Sequence, residues 1–175
     1  MVEQQPSKLH PTFQKYSYLL TLTSLRGFRL GTFYGILCGA RDSDRSGRIL
    51  VVSLNGEDKV AIIDVDTRKV LRKASVGNGP VQVYVTPDGK AALVANQGSA
   101  AKPDNRVSVV AIEDGKLIRN VTVGKGAHGI VIARDGRTAY VTNTYANTIS
   151  AIDLGSLSAG KSYPVGKGPN GIAAR

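Results

Sequence analysis

Val123-Gly124-Lys125-Gly126-Ala127 decides the fold, because the chain contains nearly the same turn three times. It stands earlier as Val76-Gly77-Asn78-Gly79-Pro80 and later as Val165-Gly166-Lys167-Gly168-Pro169. Val76 to Val123 spans 47 residues and Val123 to Val165 spans 42. Self-similarity at such a period marks a repeat architecture, in which each unit buries its apolar face only against a neighbour.

Each period reads alike on both sides of the turn. A short apolar run follows it: Val81-Gln82-Val83-Tyr84-Val85, then Gly129-Ile130-Val131-Ile132-Ala133, then Gly171-Ile172-Ala173-Ala174. A polar turn comes next, Pro87-Asp88-Gly89-Lys90 and Arg134-Asp135-Gly136-Arg137. Pro presets φ, Asp bonds its own backbone and Gly accepts positive φ, so the pair of runs reads as a hairpin. The next runs are Ala92 to Asn96 and Ala139 to Asn143, then Val107 to Ile112 and Thr148 to Asp153. A fourth, Lys116 to Val123, leads back to the glycine turn. Period-2 alternation and β-branched content predict strands.

Four short strands per ~40–45 residues is the arithmetic of one β-propeller blade. The sequence therefore predicts an all-β chain of four-stranded antiparallel blades, about three in number, an incomplete propeller. The segments are a degenerate blade at 35–76, blades at 77–123 and 124–165, and a further first strand at 166–175. The five extra residues of the longer period sit in a polar loop, Gly98-Ser99-Ala100-Ala101-Lys102-Pro103.

Tyr140-Val141-Thr142-Asn143 is the signature of the YVTN β-propeller repeat family, and the chain resembles that family over roughly residues 48–175. The V-G-x-G-P turn, the x-D-G turn and the strand Asn147 to Asp153 all fit. Leu54 stands where the signature has Asn, and Ala111 where Asp64 and Asp153 have Asp. The resemblance extends to surface-layer-like proteins and to haem-binding propellers. It implies a location in the periplasm, at the cell surface or outside the cell.

Composition narrows the chemistry. One cysteine, Cys38, excludes an internal disulfide framework. Two histidines, His10 and His128, argue against a multi-histidine metal site, and no metal is expected. The net charge of +10 favours anionic partners, nucleic acid among them. Low aromatic content and the absence of interleaved basic and aromatic residues favour a simple solvated surface instead.

Residues 1–34 fit no blade. Lys8, Lys15, Arg26 and Arg29 precede the apolar run Leu30 to Leu37 and the small residues Cys38-Gly39-Ala40, which resembles an export signal. Gly35 to Ala40 equally reads as a first strand of the degenerate blade, and a misplaced chain start is a third reading. No run is long enough for a membrane-spanning helix. Closed propellers hold about 4–8 blades, so three suggest a fragment, copies that associate to complete a ring, or an open arc.

The glycine turns join one blade's outer strand to the next blade's inner strand. Lys125, His128, Lys167 and Asn170 are therefore the candidate ligand-binding residues. No nucleophile elbow is present, and no catalytic residue is expected. The leading expectation is a non-enzymatic binding or scaffold module for a protein or small molecule, with no cofactor. The alternatives are a haem- or quinone-bearing propeller of an oxidoreductase, with His128 as ligand, and a nucleic-acid-binding propeller.

Overall fold

The computed structural model describes residues 48–174, and these form an incomplete propeller of about three blades. The strands are β1 (Ile49–Leu54), β2 (Lys59–Asp64) and β3 (Lys69–Ser75) in the first blade. The second holds β4 (Pro80–Val85), β5 (Ala91–Gly98), β6 (Pro103–Ala111) and β7 (Leu117–Thr122). The third holds β8 (Ala127–Ile132), β9 (Thr138–Asn143), β10 (Thr148–Asp153) and β11 (Ser158–Pro164). Each blade is an antiparallel meander in sequence order. The candidate strand Gly35 to Ala40 and the signal-like segment lie outside the described residues.

The second blade shows why alternation is the right pattern here. Along β5, Ala92 and Val94 face the first blade, packing with Val51, Val60, Ile62 and Val83. Leu93 and Ala95 face the third, packing with Val107, Ile130, Val141 and Ile152. Both faces are buried, so the run from Ala91 to Ala95 is apolar throughout, at about 1.5–3 kcal/mol per buried aliphatic side chain. The inner strands β4 and β8 pack on one another. The outer strands are exposed, anchored by Ala74 in β3 and Val121 in β7.

The V-G-x-G turn is held at two points. The first glycine lies over the asparagine of the following blade. A Cβ on Gly77 would sit 2.6 Å from Asn96 Cγ, and one on Gly124 would sit 2.6 Å from Asn143 Cγ. Both asparagines are fully buried. Asn143 Nδ2 donates to Thr148 Oγ1 and Ser150 Oγ, both at 2.9 Å, and Asn96 Nδ2 to Arg106 O and Ser108 Oγ at 3.0 Å. The second glycine is left-handed, with φ of 56°, 75° and 64° at Gly79, Gly126 and Gly168.

Blades are joined by side-chain hydrogen bonds to the next inner strand. Ser53 Oγ donates to Val81 O at 2.8 Å, and Thr142 Oγ1 to Asn170 O at 3.0 Å. Ala95 occupies this slot in the second blade and has no hydroxyl. Gln82 supplies the bond from the other side: Ile130 N donates to its Oε1 at 3.0 Å, and its Nε2 donates to Ile130 O at 3.2 Å. Residues 169–174 have no strand pairing; Thr142 and Thr144 hold the carbonyls of Asn170 and Pro169. Replacing Gln82→Ala strands both groups of Ile130, which is fully buried. It lowers stability by about 1–3 kcal/mol, read as a shift of the urea midpoint; an unmoved midpoint contradicts the clamp.

Candidate functional site

Strand direction separates two ends. The V-G-x-G turns share one end with the β5–β6 and β9–β10 loops; the x-D-G turns and the β2–β3, β6–β7 and β10–β11 turns occupy the other.

At the x-D-G end the carboxylates are committed to the backbone. Asp64, Asp88, Asp114, Asp135 and Asp153 each accept an N–H from two or three residues ahead. Hydrogen bonds from Thr67, Thr86, Lys116 and Ser156 hold the carboxyls of Asp64, Asp88, Asp114 and Asp153 below the usual value. An open cleft of about 550 Å³ lies there between the second and third blades, above Leu93 and Val109. Its carboxylates, Asp88 and Asp135, are among those already bonded.

The V-G-x-G end differs. Lys125 and Lys167 are exposed, ride separate turns one blade apart, and form no ion pair among the described residues. Asn170 is exposed, with its carbonyl fixed by Thr142. His128 departs from expectation. It is not on the turn but is the second residue of β8, because the strand pairs from Ala127 opposite Asn143. Its ring is half-buried, and Nδ1 is buried without a partner. Burial pushes the imidazole below its ordinary pKa, and a hydrogen bond to the Asn170 carbonyl opposes this in part. The structure thus brings His128 and Asn170 together and leaves the lysines apart. Among the described residues no three His, Cys, Asp or Glu side chains gather as a metal site. No described helix is long and apolar enough to cross a membrane.

Further polar residues at this end escape a reading of the sequence. Asp104 is buried beside the second blade's turn loop. Its carboxylate accepts N–H bonds from Asn78 at 2.8 Å, Asn105 at 2.7 Å and Arg106 at 3.0 Å, and the Arg106 guanidinium binds both oxygens. Burial pushes this carboxyl up, but the Arg106 and Asn78 donors outweigh it and the net shift is down. Asp104 directly follows the five-residue insertion, at a position where the third blade has Ala146, so the repeat gives no signal for it. Tyr145 lies against Gly126, where a Cβ would come within 2.5 Å of its ring.

Residues 42–175 match the family described as YNCE-like beta-propeller. The chain belongs to that family. Among solved structures, this YNCE-like propeller is similar to hydrazine synthase of Kuenenia stuttgartiensis. The TM-score is 0.65 and the identity 34%, over 71% of this chain and 35% of that one. The chain therefore spans about a third of that structure's length. Comparison with curated proteins gave no match.

The His128 environment predicts a pH dependence. Its folded pKa lies below the unfolded value of about 6.5. The unfolded chain therefore binds the proton first. This contribution to stability is complete above that value and is lost as pH falls through it toward the folded pKa. Urea midpoints between pH 7.5 and 5.5 should fall in the wild type and flatten in His128→Asn; parallel slopes contradict the assignment.

Proposed function

We propose that this YNCE-like propeller is a non-enzymatic binding module whose ligand face is the V-G-x-G end. One observation carries the reading. Lys125 and His128 stand on backbone that the Gly124–Asn143 contact fixes, Asn170 is held through its carbonyl by Thr142, and the side chains of these residues and of Lys167 are largely unspent on the protein. The opposite end has spent its carboxylates on turns. Rigid strands that display uncommitted loop residues are the usual construction of a binding site. The ligand is a protein surface or a small molecule that reaches the rim of the inner strands.

A second reading is an enzyme-associated propeller, supported by the likeness to a structure titled hydrazine synthase. Its cofactor would be haem or a quinone. His128 would be the candidate ligand: its ring is half-buried, and burial favours the neutral imidazole that ligation needs. Catalysis would have to be supplied outside the described residues.

Two measurements test the choice. Haemin added to the purified chain should give no Soret shift that is absent from His128→Ala; such a shift overturns the non-enzymatic reading. In a thermal-shift panel of small molecules, hits should raise Tm by a few degrees. They should lose that effect in a Lys125→Ala/Asn170→Ala double variant and keep it in Arg134→Ala. Hits sensitive only to Arg134→Ala would move the ligand face to the other end.

A further inference from the structure

The repeats allow one turn to serve as a template for another. In the turn between the first and second blades, Asn78 N–H donates to the Asp104 carboxylate, and Arg106 balances that charge. The turn between the second and third blades has the same frame. Gly98 N donates to Asn78 O at 3.0 Å, and its counterpart Tyr145 N donates to Lys125 O at 3.1 Å. Gln97 N donates to Gly79 O at 3.0 Å, and Thr144 N to Gly126 O at 2.8 Å. Asn105 O and Asn147 O then accept from Val123 N and Val165 N. Within this frame Lys125 corresponds to Asn78, Ala146 to Asp104, and Thr148 to Arg106.

The carboxylate is therefore missing where its N–H donor remains. Among the described residues no acceptor takes the Lys125 N–H. The cation has moved from Arg106 on the strand to Lys125 on the turn. The loop that covers the first site, Gly98 to Pro103, is five residues shorter here. Tyr145 borders the turn and is 37% exposed.

We propose that the Lys125 turn is an anion site, in which a carboxylate or phosphate oxygen of a ligand takes the place that Asp104 Oδ2 holds beside Asn78. The N–H supplies the directional bond and the ammonium the charge. This rests on the V-G-x-G end being the ligand face and names the ligand's chemistry there: an anionic group of modest size beside an aromatic ring.

Amide NMR on the full chain at low salt tests it, with pyrophosphate in one titration and citrate in another. The Lys125 amide should move in at least one titration, and which probe moves it tells phosphate from carboxylate. Ala146→Asp should install the internal carboxylate: the Lys125 amide starts shifted and binding falls at least tenfold. Lys125→Ala should weaken binding about five- to tenfold. An unmoved Lys125 amide with both probes overturns the proposal, and so does undiminished binding by Ala146→Asp. Movement confined to His128 and Asn170 overturns the anion site but leaves the ligand face standing. Movement confined to Arg72, Lys73, Arg119 and Lys161 on the outer strands overturns both and favours diffuse polyanion binding, as to nucleic acid.

Discussion

A buried asparagine under a bare glycine is the constraint on which the propeller depends. Asn96 and Asn143 are fully buried, and each spends its Nδ2 on the neighbouring strand. Each also presents its Cγ to the Cα of Gly77 or Gly124, where a methyl group would overlap it. One side chain therefore ties the second strand to the third and fixes where the preceding turn descends. A buried amide is costly unless bonded, and the donors recover part of that cost. The contact also explains why the YVTN tetrapeptide and the V-G-x-G turn occur together: each shapes the space the other needs. Leu54 breaks the pairing in the first blade, where an apolar side chain, 5% exposed, fills the position.

With the turns fixed, the joints between blades are free to vary. A hydroxyl reaches the next inner strand at Ser53 and at Thr142, and Gln82 reaches it where Ala95 cannot. The geometry is kept while the chemistry changes. The same freedom operates at the turn loops, where Asp104 closes one turn from within and Ala146 leaves its counterpart open. The proposed ligand face therefore rests on departures from the repeat, displayed on a backbone the repeat has made rigid.

The fold was legible because its determinants recur. The glycine turns, the x-D-G turns and the alternation through Leu93-Val94-Ala95 and Tyr140-Val141-Thr142 each have a local physical meaning, and their spacing counts the strands. Asp88 and Asp135 read as turn residues and are turn residues. The site was legible only in part. Lys125 and Lys167 follow from the turn. His128 reads as a turn residue ahead of a run from Gly129, but it lies within β8, which begins at Ala127. Gln82 and Asp104 were invisible for a different reason: each is a single substitution or insertion whose partner lies 48 or 26 residues away, and no period announces it.

A double-mutant cycle between Gly124 and Asn143 tests the central contact most directly. Gly124→Ala alone forces a Cβ against the buried amide and should cost about 1–3 kcal/mol. In an Asn143→Ala background the two nearest atoms, Cγ and Nδ2, are gone and only the Cβ remains, so the same methyl should cost clearly less. The account predicts a coupling energy of at least about 1 kcal/mol from urea unfolding of the four proteins. Additive losses would show that glycine and asparagine act independently, and would contradict it.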